Sequence, residues 1–219
     1  MSNYHQQMFM RVIVPAIGDT IVMHLSTIVT CTLVGFIIAL VMVTTDSHGL
    51  RPNRPVYEAL SFIINIFRSV PFVITMITII PLTRAVVGSV IGVKAAVFSI
   101  TIAGSPFVAR QLEGALKEVD PAKIEAARSF GASDLQITFQ VIVAESVPAL
   151  ISSLTFVIIS LLGYTAQAGI IGAGGLGAVA LTYGYQNFDN VIMYSTVLIL
   201  IVLVQLIQLF GSTLYRKIK

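Results

Sequence analysis

The sequence predicts an all-α integral membrane protein, with five membrane-spanning helices in a single domain over residues 1–219. Of its 219 residues, 56% are hydrophobic and 11% are charged, whereas soluble domains carry about 25% charged residues. The mean hydropathy is +0.93. Apolar stretches alternate with short polar ones, and the basic residues behind the net charge of +3 lie between the apolar stretches. No basic stripe forms, so the composition argues against nucleic-acid binding.

The apolar segments set the predicted span count, because a helix needs ~20 mostly apolar residues to cross a ~30 Å hydrocarbon core. The first segment is uncharged between Asp19 and Asp46. The second contains Arg68, which we expect near one end of the span or facing a protein-lined cavity, since a lipid-facing arginine is costly. The predicted spans cover about residues 20–45, 58–81, 88–110, 147–166 and 191–213.

The positive-inside bias predicts the orientation of these spans. The polar stretch 110–145 and the basic C-terminus should both be cytoplasmic, so two spans separate them and the N-terminus is extracytoplasmic. The Gly-rich stretch 169–184 is then an outer connection without Lys or Arg. The basic residues predicted inside are 51, 54, 110, 117, 123, 128, 216, 217 and 219, and those predicted outside are 11, 84 and 94.

The longest polar segment, about residues 113–143, predicts two short helices that meet at a turn. Asp120 before Pro121 is a strong helix start, because the side chain caps the helix and proline suits its first position. Gly131 suits a left-handed C-terminal cap, and Ser133 with Gln136 matches a capping box for a second helix. A solvated loop helix with an ordinary ion pair between residues 125 and 128 is the alternative interpretation.

Glu125-Ala126-Ala127, followed by Gly131, resembles the EAA loop of bacterial ABC importer permeases. The resemblance implies the type I importer permease fold, with coupling helices that dock on a cytoplasmic ATPase subunit. Glu125, Ala126, Ala127, Arg128 and Gly131 are then the expected ATPase-coupling residues. The family pattern ends in a Leu-Pro pair, which this chain lacks at residues 141–144.

Four further motifs are similar to those of the methionine-importer permeases, in order and spacing. They are residues 65–72 (NIFRSVPF), 81–84 (PLTR), 104–110 (GSPFVAR) and 172–177 (GAGGLG). The resemblance implies a homodimeric permease in a bacterial inner membrane, a pair of ATPase subunits that hold ATP and Mg²⁺, and an extracytoplasmic substrate-binding lipoprotein. Arg68, Tyr164 and Gln167 are the implied pathway or gate candidates, and Gln167 stands where the family is expected to have methionine.

The sequence offers no catalytic, cofactor or metal site, so the chain is not expected to be an enzyme. Residues 172–177 match the letters of a nucleotide-binding fingerprint, but they lack its preceding strand and later acidic residue. Close helix packing explains these glycines better. The single cysteine, Cys31, and the scattered histidines build no metal cluster or catalytic constellation.

The expected function is ATP-driven import by alternating access, with L-methionine as substrate and D-methionine left open. Another small amino acid or polar solute is the first alternative. An ion-coupled secondary transporter is the second, although such proteins usually carry ionisable groups within their spans. A membrane anchor without transport is harder to exclude, but it would give the two predicted helices at residues 113–143 no role.

Overall fold

The computed structural model describes residues 3–218, with side chains from residue 5, and the described chain is built from helices. The first helix, α1, joins Asn3–Met8, a π-helical turn Phe9–Ile13 and Val14–Thr45. The next are α2 (Arg54–Ser69), α3 (Phe72–Thr78), α4 (Ile80–Val87), α5 (Val93–Leu116), α6 (Pro121–Ser129) and α7 (Asp134–Val143). The last are α8 (Val147–Ala168), α9 (Gly175–Val179), continued by a π-helical turn Ala180–Gln186, and α10 (Asn190–Ile218).

Within the described residues, α1, α5, α8 and α10 are each long and apolar enough to cross a membrane, and α2 with α3 makes a fifth candidate if the bent pair is one span. Helix α1 begins well before residue 20, where the sequence predicts its start. Its first turns carry Arg11 and Asp19 on the exposed side, while Ile13 and Ala16 pack against Leu176. An amphipathic arrangement therefore continues the helix beyond the uncharged stretch.

The second predicted span, residues 58–81, is not one straight helix. Helix α2 ends at Ser69, and α3 begins at Phe72 with its axis turned by 105°. Val70 is extended, with ψ 133°, as is favoured for a residue before proline because the proline ring sterically disfavours the helical region there. Pro71 also lacks the N–H that would continue the helix.

Helices α1 and α5 form the centre of the molecule and run in the same direction. Thr30 Oγ1 lies 2.6 Å from Thr101 Oγ1 near the middle of both helices. Gly35 lies one turn further along and packs on Val108, so closely that an added Cβ would come within 2.7 Å of the valine Cγ1. Small residues along this seam allow the two backbones to approach, as is common between membrane helices.

Helix α8 runs opposite to α5, because Gly104 packs on Leu161 while Phe107, further along α5, contacts Phe156. The Gly-rich segment then turns the chain toward α10. Gly177 lies so close to the Ala166 carbonyl that a Cβ would collide with it, and the Leu176 N–H donates to Thr20 Oγ1 over 2.8 Å. These contacts support helix packing as the role of the glycines.

Helix α10 is the least covered of the candidate spans. Only 6% of its most apolar 18-residue window is buried by the rest of the described chain, compared with 56% for α5. Gly211 near its end packs on Thr155 of α8. Most of the remaining surface of α10 is available to lipid or to another chain.

Candidate functional site

Helices α6 and α7 meet at a sharp turn, and local side-chain caps define both ends of that turn. The Asp120 carboxylate accepts a 2.9 Å hydrogen bond from the Ala122 N–H at the start of α6. Gly131 has φ +79°, the left-handed conformation that follows the end of α6. Ser133 and Gln136 form the reciprocal capping box that opens α7. The local predictions for Asp120, Gly131 and the capping box are therefore confirmed.

The turn presents an exposed surface, which we call the elbow surface: Glu125, Ala126, Arg128, Phe130 and Leu135. Phe130 is 91% exposed and Leu135 is 72% exposed, and exposed apolar groups rimmed by polar ones can form part of a protein interface. Glu125, Ala126 and Arg128 are exposed as well. The charged residues thus lie beside apolar ones, as they do in many protein interfaces.

Ala127 does not lie on the elbow surface, because it is half-buried against the main hydrophobic core. Among the described side chains, no ion pair joins Glu125 to Arg128, so the ordinary i, i+3 pair of the alternative interpretation is absent. The Arg128 guanidinium instead donates to the Leu50 carbonyl over 3.2 Å. This bond attaches α6 to the loop that follows α1.

A buried ionic network is centred on Glu113, near the end of α5. The Glu113 side chain is 2% exposed and receives Arg110 and Lys117, each at 2.7 Å. The Tyr57 hydroxyl donates to the same carboxylate over 3.0 Å, and Arg110 also donates to Ser61 over 2.7 Å. A carboxylate buried this deeply requires such partners. We refer to these contacts as the Glu113 network.

Lys117 extends the network to the loop after α1 through an ion pair with Asp46 at 2.6 Å. The hydrogen bond from Lys117 lowers the pKa of Asp46 from 3.8 to about 2, against the opposing effect of its partial burial. Burial alone would lower the pKa of Lys117, but hydrogen bonds to Asp46, Glu113 and Tyr57 outweigh it and raise that pKa above its ordinary value. Both groups are therefore charged across the physiological range.

A second feature is a cavity of about 260 Å³ at the bend between α2 and α3. Arg68 and Tyr164 both line it, so the structure brings together two of the three pathway candidates. Gln167 is half-buried one turn beyond Tyr164 on α8 and is not among the lining residues. The Tyr164 ring stacks on Phe72 with centroids 3.8 Å apart and planes at 7°, and Phe107 meets Tyr164 edge-on at 6.1 Å.

The Glu113 network was not predicted from the sequence. Glu113 was expected at the start of the polar region, whereas the structure has it inside α5. The spacing of Arg110, Glu113 and Lys117 on one helical face was a visible signal. Tyr57 and Asp46 gave none, because they lie 56 and 71 residues away from Glu113 and Lys117, respectively. In the described part of the chain, no cluster of three or more His, Cys, Asp or Glu could hold a metal ion.

Comparison with known families assigns the class of the protein. Residues 32–219 match the family of binding-protein-dependent transport system inner membrane components, and the chain belongs to this family. It is therefore a multi-pass inner membrane protein and a transport component rather than a catalytic enzyme. The predicted resemblance of the chain to importer permeases is confirmed at this level.

The chain is also similar to individual permeases and to a solved transporter structure. The probable D-methionine transport system permease protein MetI of Vibrio cholerae is 45% identical over 184 residues, covering 84% of this chain and 82% of that protein. The methionine import system permease protein MetP of Bacillus subtilis is 41% identical over 168 residues, covering 77% and 76%. A solved structure of the inward-facing MetNI methionine ABC transporter superposes over 100% of both chains with a TM-score of 0.94 at 35% identity.

Proposed function

We propose that this chain is the permease subunit of an ATP-driven ABC importer for methionine. The observation that carries the proposal is the superposition on the MetNI transporter, because it extends over the whole of both chains. Relatives described as methionine permeases cover more than three quarters of this chain at 41% to 45% identity. Both L- and D-methionine are candidate substrates.

We infer five membrane crossings, with the bent segment α2–α4 counted as one of them. The support for this count comes from the directions of the helices. Helices α1 and α5 run parallel, as the pairs Thr30–Thr101 and Asp46–Lys117 indicate. Two parallel spans require one crossing between them. Helices α8 and α10 then add two more, so that the N-terminus is extracytoplasmic and the C-terminus, with Arg216 and Lys217, is cytoplasmic.

The elbow surface is the proposed docking site for the ATPase subunit, which would supply the ATP and Mg²⁺ chemistry. Its exposed Phe130 and Leu135 offer an apolar anchor, and Glu125 and Arg128 offer charges that can select a partner. Two copies of the permease, a pair of ATPases and an extracytoplasmic binding lipoprotein complete the proposed assembly. Nucleotide binding can drive alternating access only through contacts that differ between the two states.

The pathway is proposed to pass Arg68 and Tyr164, which line the cavity at the bend. Gln167 would act one turn closer to the outer side of α8. An unwound backbone at membrane depth is tolerated where it faces protein or a water-filled cavity rather than lipid. The bend at Val70 and Pro71 meets this requirement, because both residues line the same cavity.

The test compares two glycines that share one backbone conformation. Gly131 and Gly88 both have φ +79°, and neither has an atom within 4 Å of an added Cβ. Each donates its N–H to a helix carbonyl at 3.0 Å. Proline has φ near −65° and no N–H, so the two substitutions cause the same local strain.

In vesicles reconstituted with the ATPase and binding protein, wild-type protein should take up methionine when ATP is present. Gly131→Pro should abolish uptake while membrane insertion is retained, and Gly88→Pro should keep most of it. Equal uptake by both variants would contradict the coupling role of the elbow. Glu125→Lys should also reduce co-purification of the ATPase, whereas undiminished recovery would argue against docking there.

A further inference from the structure

The cavity at the bend combines a cation with an aromatic wall near the middle of the molecule. Ala103 and Phe107 contribute to it from the central turns of the 24-residue helix α5. The wall contains Phe72, Tyr164 and Phe107, whose rings stack or meet edge-on. A volume of about 260 Å³ holds about nine waters at ~30 Å³ each, which is room for an amino acid of methionine's size.

Arg68 is the only charged residue among those that line the cavity. In the part of the chain that the structure describes, its guanidinium has no ion pair or hydrogen bond. Arg68 is exposed rather than buried by protein, and an arginine within a membrane-spanning segment retains a strong demand for an anion. Carboxylates satisfy that demand best, because the planar guanidinium binds both carboxylate oxygens at once.

The backbone carbonyls at the bend can attract the positively charged ammonium group of an amino acid. Helix α2 ends at Ser69, so its last carbonyls lack helical donors and carry the negative end of the helix dipole. Phe67 lines the cavity, and its carbonyl loses its i+4 partner because Pro71 has no N–H. Carbonyls and aromatic faces both attract an ammonium group, and aromatic rings also contact a thioether favourably.

We propose that this cavity binds the transported amino acid as a zwitterion, with Arg68 on the α-carboxylate and the Phe72, Phe107 and Tyr164 wall around an unbranched apolar side chain. The inference rests on the proposed function and specifies its substrate site. It makes Arg68 a specificity-determining residue for the carboxylate.

The experiment measures equilibrium binding of radiolabelled methionine to the permease–ATPase complex in nanodiscs without the binding protein. Wild type should bind saturably and should prefer methionine over methioninol, which lacks the carboxylate. Arg68→Gln should weaken methionine binding about tenfold or more, the expected effect of losing a charge-assisted pair. Arg68→Gln should also abolish the preference for methionine over methioninol. Arg68→Lys, which keeps the positive charge, should retain part of the affinity and part of the preference.

Arg84→Gln is the matched control, because Arg84 is an exposed arginine of the neighbouring helix α4 and does not line the cavity. It should leave affinity and preference unchanged. A general loss of structure would weaken methionine and methioninol together, so a retained preference in Arg68→Gln overturns the proposal. Absence of saturable binding by wild type overturns it too.

Methionine uptake by wild type is measured in parallel in vesicles that also contain the binding protein. This second measurement distinguishes failure of the proposed substrate site from failure of the proposed importer function. Normal methionine uptake, together with a preference for methionine over methioninol that does not depend on Arg68, would refute the proposed site but would still support the importer function. Arg68-dependent binding of another amino acid, without methionine uptake, would keep the site and refute methionine as the substrate.

Discussion

Replacing Glu113 by glutamine tests the Glu113 network with little change in shape. The substitution removes the charge that faces Arg110 and Lys117, each at 2.7 Å from the carboxylate. Removing one partner of a buried pair costs about 3–5 kcal/mol. Both cations keep a second partner, Ser61 for Arg110 and Asp46 for Lys117, so we expect a cost at or below the lower end of this range, about 2–3 kcal/mol.

The assay uses Cys31, the single cysteine of the chain, which is fully buried. A thiol-reactive fluorogenic dye therefore reports unfolding of the purified protein in detergent. For a chain of this length, each kcal/mol of destabilisation lowers the unfolding midpoint by about 2–4 °C. Glu113→Gln should therefore lower the midpoint by roughly 4 to 12 °C.

Glu58→Gln is the matched control, because it makes the same chemical change in an exposed pair. Glu58 contacts Arg54 at 2.6 Å, but the two side chains are 60% and 87% exposed. Such an exposed pair contributes little to stability, so the midpoint should move far less than it does for Glu113→Gln. Equal midpoints for Glu113→Gln and Glu58→Gln would refute the stabilising role of the buried network.

Two further predictions concern packing and pH. Gly177→Ala should destabilise the protein by about 1–3 kcal/mol, because the new Cβ collides with the Ala166 carbonyl. Gly163→Ala has no atom within 4 Å of the new Cβ and should be neutral or stabilising by up to about 1 kcal/mol, so equal thermal midpoints would contradict the close contact. The pKa of Asp46 falls from 3.8 to about 2 on folding, so its stabilisation is complete above about pH 4 and is lost as the pH falls toward 2. The midpoint difference between wild type and Asp46→Asn should therefore close over that range, and a difference that does not change with pH would argue against the contact with Lys117.

The features predicted correctly from sequence are those with local causes. The Asp120 cap, the left-handed Gly131 and the Ser133–Gln136 box each depend on residues within a few positions of one another. The long apolar helices follow from the same kind of local information, namely length and composition.

The features that were missed depend on distant contacts or on competing local preferences. Pro71 was visible, but the apolar residues on both sides favoured a continuous span, and the bend was not predicted. The Glu113 network joins segments far apart in sequence, so no local pattern reveals that its carboxylate is buried. The charge of Arg68 is visible in the sequence, whereas the Phe72, Phe107 and Tyr164 rings that line the same cavity come from three other helices.

The sparse covering of α10 has a consequence for how the protein is held together. Its most apolar window is only 6% buried by the described chain, although Ile192 and Thr196 in its first turns are buried. Partitioning into hydrocarbon keeps such a helix in the bilayer without specifying which face it turns toward its neighbours. Contacts near its two ends, Ile192 in the cluster with Leu176 and Gly211 on Thr155, therefore fix its rotation, and the face between them can exchange lipid for another protein without repacking the chain's own core.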